Sequence, residues 1–200
     1  WQTFPPMCFL FGGVPYALCT NSKIYRLTDG REVSDYVGGP PRESSRKGSG
    51  VPPPGGSWGS MRPLIGFRDG VVYLNFNDYG GKISGTGKDA DCHRAVRLKK
   101  LDDGRIGFDV LWTEPGVVDS GYSQAALLLA DRITGNRSVD LAAGKEIKGW
   151  GVNNGPHGGI PHSLVGGRWI FTGDGHTGEK ALPIYIYDTQ TAKRLPTQWI

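Results

Sequence analysis

Short apolar runs alternate with glycine-rich or polar turns along most of this 200-residue chain. Within residues 168–195, the runs 169–171 and 184–187 are apolar or aromatic, and glycines and charged residues separate them. Runs of β-branched and aromatic residues that are bounded by turn residues are typical of strands. Residues 188–193 follow as a polar turn. The pattern predicts a β-hairpin with a long loop, closed by a second turn.

The same pattern of two apolar runs followed by a closing turn recurs along the chain. Its closing turns align at Gly30, Gly104, Gly144 and Ala192, which are 74, 40 and 48 residues apart. The first interval contains residues 38–60, which are rich in glycine, proline and serine. We interpret this stretch as an exposed inserted loop. Without it, every interval is roughly 40 to 50 residues, which is the period of a propeller blade.

Residues 61–116 form the longest predicted unit and divide into four strand candidates. Tight turns are predicted at residues 68–70 and 102–104, because each contains an Asp-Gly pair. Residues 125–132 (AALLLADR) have a helix-forming composition, but the run is short and a Gly-Asn turn follows it, so we predict a strand there too. Four antiparallel strands in about fifty residues make one propeller blade. The strand candidates of the longest unit are residues 63–67, 71–77, 92–101 and 107–113.

Composition agrees with an all-β fold in one domain. The chain has 32 glycines and 14 prolines, a content that favours many turns between short strands. No apolar run reaches the ~20 residues that a membrane helix needs, so no membrane span is expected. The net charge is +4 and the positive residues are scattered, so no nucleic-acid surface is expected. We predict a β-propeller of four-stranded antiparallel blades over residues 1–200, with about four blades present.

Two segments that contain closing turns resemble the repeats of quinoprotein-like, or PQQ-like, β-propellers. They are residues 139–147 (VDLAAGKEI) and 187–193 (YDTQTAK). Residues 24–33 are similar to them, and the resemblance covers most of the chain outside residues 38–60. It implies a circular array of about seven or eight blades, of which this chain would supply about four. The chain is then either part of a longer protein that supplies the further blades or a compact four-bladed ring. We expect the first, since the chain begins and ends inside the pattern and an array that lacks half its blades would expose an apolar edge.

The resemblance does not carry an activity with it. A quinone-cofactor dehydrogenase of this family has two adjacent cysteines beneath PQQ, a calcium-binding ligand set and a catalytic aspartate. This sequence has no adjacent cysteine pair, and no motif assigns the other ligands to it. Such propellers serve as dehydrogenases, as scaffolds and as partner-binding platforms, so the resemblance implies the fold more strongly than the function.

Three of the four histidines and an aspartate fall within one glycine-rich stretch, which is the most site-like part of the sequence. These residues are His157, His162, Asp174 and His176. Loops on a rigid strand scaffold are where binding residues concentrate, and neutral imidazoles with a carboxylate can hold Zn, Cu or Fe. Successive blade loops alternate between two faces, however, so the four side chains need not meet. Exposed histidines without a ligand are the alternative.

The cysteines and one asparagine suggest modifications. Cys8 and Cys19 flank a predicted turn and would form a disulfide if their Cα atoms lay within about 7 Å. The alternative is that they and Cys92 are small buried hydrophobic residues. Asn136 begins a glycosylation sequon, Asn-Arg-Ser. Together with the family resemblance, the sequon and the bridge indicate an extracytoplasmic location, either periplasmic or secreted.

These observations favour a non-enzymatic binding or scaffold propeller, whose loops contact a protein partner or further blades of the same protein. The alternative is a quinone- or metal-dependent oxidoreductase with its site at the histidine loops, which a bound metal ion or PQQ would favour. A third hypothesis is a carbohydrate-binding or hydrolytic β-protein. Loss of carbohydrate binding on changing Trp58 or Trp150 would support that one.

Overall fold

The computed structural model is all-β, as the sequence predicts. It describes residues 6–19, 22–37, 64–78, 85, 87, 90–115, 126–134, 137–149, 160–165, 168–172, 183–191, 193–196 and 198–199. This part of the chain contains fifteen strands and no helix, and every pair of neighbouring strands is antiparallel. The predicted inserted loop, residues 38–60, lies outside it. The chain divides into two compact units, Trp1–Pro115 and Gly116–Ile200, and one continuous ring over residues 1–200 stays a prediction.

The first unit begins with a three-stranded sheet. Its strands are β1 (Met7–Phe11), β2 (Val14–Leu18) and β3 (Ile24–Arg26), hydrogen-bonded in that order. Gly12 and Gly13 connect β1 to β2 with φ of 57° and 78°, which is backbone geometry that glycine adopts without steric cost. A further bridge between Tyr25 and Glu32 continues the pairing beyond β3. The sheet therefore has the beginning of a fourth strand.

The second sheet of this unit confirms the four strands predicted within residues 61–116. Its strands, in sheet order, are β4 (Leu64–Arg68), β5 (Val71–Asp78), β6 (Ala90–Lys100) and β7 (Ile106–Pro115). The predicted tight turn between β4 and β5 has φ of 50° at Asp69 and 77° at Gly70. Two consecutive residues with positive φ match the right-handed twist of the flanking strands. The hairpin is thus specified by its local sequence.

The core of the first unit draws side chains from both sheets. Val72, Leu74 and Phe76 on β5 belong to it because alternate strand residues point to the same face. Burying one such side chain stabilises the fold by about 1.5–3 kcal/mol. Tyr73 and Asn75 lie between them and point to the opposite face, where they are also buried. The cluster comprises Phe9, Tyr16, Leu18, Ile24, Val33, Val37, Val72, Leu74, Phe76, Cys92, Val96, Leu98 and Ile106.

The second unit contains two four-stranded sheets. The first consists of β8 (Leu127–Leu128), β9 (Arg132–Thr134), β10 (Ser138–Asp140) and β11 (Glu146–Ile147), and the second of β12 (Ile160–Val165), β13 (Arg168–Thr172), β14 (Pro183–Asp188) and β15 (Gln198–Trp199). Each sheet follows chain order. Within the described part of residues 125–132 there is no helix, as predicted, but the single predicted strand is divided into β8 and the start of β9 by a break at residues 129–131.

Three of the closing turns share one hydrogen-bond pattern. The N–H groups of Arg26, Asp140 and Asp188 each donate to the carbonyl five residues later, at 2.9, 3.0 and 3.0 Å respectively. In each turn, the preceding residue also pairs with a residue seven positions further on. These pairs are Tyr25 with Glu32, Val139 with Glu146 and Tyr187 with Arg194. The recurring sequence phrase is therefore also a recurring backbone geometry.

Aspartate side chains hold two of these turns. Oδ1 of Asp140 accepts from the backbone N–H groups two and three residues later, at 2.9 and 2.6 Å, and Oδ1 of Asp188 does the same at 2.9 and 3.1 Å. Such contacts stabilise turns locally. The turn at Gly104 is one residue tighter, since Leu101 N–H donates to the Arg105 carbonyl at 2.9 Å.

Candidate functional site

The predicted histidine and aspartate set is only partly described. His157, Asp174 and His176 lie outside the described residues. His162 lies on β12, where the pairing with β13 shifts between Pro161 and Ser163. His162 is therefore the extra residue of a β-bulge, a feature that is often found next to active sites. That the four residues form one site stays a prediction.

The polar site that the structure does describe is centred on His93, which the sequence analysis did not single out. Register pairs His93 on β6 with Asn75 on β5 and with Glu114 on β7. Directly opposite residues of antiparallel strands point to the same face, so the three side chains lie in one row across the sheet. The signal for His93 in the sequence is weak, since the residue stands between Cys92 and Arg94 in a predicted strand and not in a loop.

The Asn75 contact determines the tautomer of His93. Nδ1 of His93 lies within hydrogen-bond distance of Oδ1 of Asn75. Since a carbonyl oxygen only accepts, Nδ1 carries the proton and Nε2 presents a lone pair. Nε2 is buried and has no partner among the described residues. A buried acceptor without a partner costs about 1–3 kcal/mol.

Burial also sets the charge of His93. Desolvation lowers the pKa of the imidazole from 6.5 to about 3, because removing the ring from water penalises the cation. His93 is therefore neutral at physiological pH. In chemical terms, the group is a fixed hydrogen-bond acceptor and a very weak base, and it is poorly suited to proton transfer near neutral pH.

A buried cation lies on the other face of the same strand. The guanidinium carbon of Arg94 is 4.4 Å from the ring centroid of Phe76, and Nε of Arg94 donates to Oγ1 of Thr113 at 3.0 Å. Only 4% of Arg94 is exposed. Stacking on an aromatic ring offsets part of the cost of desolvating the charge. We assign Arg94 to the stability of this sheet rather than to a binding site.

The described part of the chain supplies no ligand set for a metal or quinone cofactor. No group of three or more His, Cys, Asp or Glu side chains is close enough there to share a metal ion. His93 presents one nitrogen, and its neighbour Asn75 already occupies the other. These residues do not fit PQQ or a metal ion, so the cofactor hypothesis rests on His157, His162, Asp174 and His176.

The cysteines differ in exposure, and none of the three forms a disulfide. Cys8 pairs with Ala17 across the β1–β2 hairpin, so Cys19 lies diagonally across from Cys8 and the predicted disulfide is not formed. Cys8 is exposed, Cys19 is half-buried and Cys92 is buried in the core. Burial, and secondarily Cys8, raises the pKa of the Cys19 thiol. Asn136 lies outside the described residues, and its glycosylation stays a prediction.

Comparisons with known proteins add no relative. The chain matches no protein-family model, and neither a curated protein nor a solved structure is significantly similar to it. The quinoprotein-like resemblance therefore rests on the repeated phrase alone. Within the residues that the structure describes, no helix is long and apolar enough to cross a membrane.

Proposed function

We propose that this chain is a segment of a quinoprotein-like β-propeller that acts as a non-enzymatic binding scaffold through the loops between its strands. The observation that carries the proposal is the closing turn that recurs with one backbone pattern at Arg26, Asp140 and Asp188. Each copy follows the third strand of a sheet whose antiparallel strands are arranged in chain order. Repeated units of this kind are what a propeller requires.

Contacts between sheets within each unit support the same architecture. In the first unit, β1 lies beside β4, and the segment after β3 meets the start of β7 through a bridge between Ser34 and Ile106. In that bridge, Ile106 N–H donates to the Val33 carbonyl at 2.6 Å. In the second unit, β8 lies beside β12. In each unit the first strands of the two sheets thus adjoin, and in the first unit the segment after β3 also adjoins the last strand, β7. Such contacts are expected of blades around a common axis.

The proposed mechanism is geometric. Strands that are held by backbone ladders fix the ends of each loop, and the loops then make the contacts with a protein partner or with further blades of the same protein. Among the described residues, no group of three or more His, Cys, Asp or Glu side chains is placed to hold a metal ion, and the pKa of His93 is too low for it to act as a base near neutral pH. The proposed location is extracytoplasmic, and the sequon at Asn136 supports it.

Solution X-ray scattering of the purified chain, combined with native mass spectrometry and a PQQ titration in the presence of calcium, tests this proposal. We expect a scattering profile of radially arranged blades, no stoichiometric metal and no dye-linked oxidation of alcohols or sugars. An elongated two-lobed particle would contradict the propeller architecture. Saturable PQQ binding with turnover would contradict the non-enzymatic function while leaving the architecture intact.

The second candidate is a quinone- or metal-dependent oxidoreductase, and the bulge at His162 is the observation that favours it. Bulges are over-represented next to active sites. The test is metal analysis and PQQ titration of the His162→Ala variant beside the unsubstituted chain, with His93→Ala as a control outside the predicted set. Ligand that is bound by the unsubstituted chain and lost only in His162→Ala would support this candidate.

A further inference from the structure

We propose that Cys8 and Cys19 form a dithiol site that reacts with small aliphatic disulfides, in which Cys8 is the entering thiol and Cys19 the resolving thiol. This inference is independent of the proposed function. It concerns a chemical reaction of one hairpin in the first unit. It also differs from a structural disulfide, because both thiols are free in the folded chain.

The two thiols share one face of the first sheet. Phe9 is buried in the core, so its neighbour Cys8 points to the opposite side of β1 by strand alternation. Cys8 is paired with Ala17, and Cys19, two residues after Ala17, returns to the same face. This register places the two thiols as diagonal neighbours on that face.

The distance between the Cα atoms of Cys8 and Cys19 requires only a small backbone movement before a disulfide can form, and no change of fold. Diagonal neighbours in an antiparallel pair have Cα atoms about 7–8 Å apart, and a disulfide needs no more than about 7 Å. The ladder between β1 and β2 ends at Leu18, so Cys19 is not held to β1. Its N–H donates instead to the Lys23 carbonyl at 3.0 Å. An approach of about 1 Å is therefore available at Cys19 without breaking the β1–β2 pairing.

Exposure assigns the two roles. Cys8 is exposed and accessible to a small disulfide, whereas Cys19 is half-buried. Burial keeps a larger share of the Cys19 thiol protonated, which makes it the poorer attacking group from solution. Once Cys8 carries a mixed disulfide, Cys19 attacks that disulfide within the same molecule. The effective concentration of the attacking thiol is therefore high.

The reaction balances without another oxidant. The Cys8 thiolate attacks one sulfur of the small disulfide, a bond forms between the sulfurs and one small thiolate leaves. Cys19 then attacks the Cys8 sulfur, and the second small thiolate leaves with the proton that Cys19 gives up. Two protein thiols are oxidised to one disulfide, and one small disulfide is reduced to two thiols.

Oxidised glutathione is the probe, and intact-mass spectrometry with peptide mapping of the full 200-residue chain is the measurement. We expect the unsubstituted chain to lose two hydrogens and to yield a peptide linking Cys8 to Cys19. Cys19→Ser should accumulate one glutathione on Cys8, since the resolving thiol is gone. Cys8→Ser should react at least ~10-fold more slowly. Cys92→Ser removes the buried thiol and should match the unsubstituted chain.

Three results would overturn the proposal. One is a lasting glutathione adduct on Cys8 when Cys19 is present. Another is a peptide that links Cys92 to either partner. The third is equal reaction rates for Cys8→Ser and the unsubstituted chain. Circular dichroism of each variant monitors the fold, and serine at the exposed Cys8 position is isosteric.

Discussion

Acid should destabilise this protein through one buried side chain, His93. In the folded chain, desolvation keeps its pKa at about 3, whereas in the unfolded chain a histidine takes up a proton below about 6.5. A depressed folded pKa means that the unfolded state binds the proton first as pH falls. The stabilisation is therefore complete above pH 6.5 and is lost progressively between pH 6.5 and 3.

The size of the effect follows from that interval. Each pKa unit corresponds to about 1.36 kcal/mol, so lowering the pH from 7 to 4 removes about 3 kcal/mol through His93 alone. Native domains are stable by about 5–15 kcal/mol, so one titration accounts for a large share. The folded protein should remain neutral at His93 over most of this range, because Asn75 Oδ1 occupies Nδ1 and Nε2 is buried.

Urea unfolding at pH 7 and pH 4, followed by circular dichroism, measures the loss. We compare the unsubstituted chain with His93→Gln, which keeps an amide donor for Asn75 and does not titrate. The carboxylates contribute equally to both proteins, so the difference between the two losses isolates His93. We expect the unsubstituted chain to lose about 3 kcal/mol more than the variant. The matched control is Lys100→Gln, at the exposed end of the same strand, where the side-chain amine donates to the Gly12 carbonyl. This variant should lose as much as the unsubstituted chain.

An equal acid loss in His93→Gln and in the unsubstituted chain would refute the reasoning. It would mean that His93 takes up its proton in the folded state near its ordinary pKa, and hence that solvent reaches the ring. Direct titration of the His93 ring protons by NMR distinguishes this case, since a midpoint above about pH 5 is incompatible with the burial described.

Three further predictions concern stability. Asp140→Ala should lower the free energy of unfolding by about 1 kcal/mol, because two backbone N–H groups lose their acceptor, whereas Asp140→Asn keeps an acceptor oxygen and should retain most of it in thermal unfolding. Equal losses in both variants would show that the side-chain oxygen does not hold the turn. Gly30→Ala should cost about 1 kcal/mol in urea unfolding, because φ is +69° and open space surrounds the position, so that only backbone strain acts. Gly30→Asn should cost less, and the opposite order would count against a left-handed backbone there. Arg94→Ala should cost about 2–4 kcal/mol in guanidinium unfolding, since Phe76 loses its stacking partner and Thr113 its donor. Arg94→Lys should recover less than half of that loss, and a cost below about 0.5 kcal/mol for Arg94→Ala would show that the charge contributes nothing net.

Local sequence was enough to locate the strands because their signals are short-range. The runs of β-branched and aromatic residues that become β5, β13 and β14 are read within a few residues, and the turns between β4 and β5 and at Gly104 follow from an adjacent Asp-Gly pair. The correct choice of strand over helix in residues 125–132 came from the same source, since a turn signal follows too soon for a helix.

The candidate sites were harder to predict because burial is not a local property. His93 stands in a strand whose other face contains Cys92 and Val96, and the sequence does not say that its own face is covered as well. His157, His162 and His176 stand in a glycine-rich stretch that is typical of binding loops, whereas His93 stands in a predicted strand. The pairing of Cys8 with Ala17 rather than with Cys19 is likewise a matter of register, which depends on where the turn places the strands.

The sequence by itself thus determined the all-β class, strands such as β5, β13 and β14, and the closing turns, because each arises from backbone preferences and side-chain contacts within about six residues. Only the tertiary structure decided that His93 is neutral and that two cysteines separated by a hairpin lie diagonally across one face. Both facts depend on which strands pair, in which register they pair and which side chains pack over each face. Those choices are made by long-range burial, and a sequence pattern with a period of two residues specifies the faces of a strand without specifying what lies against them.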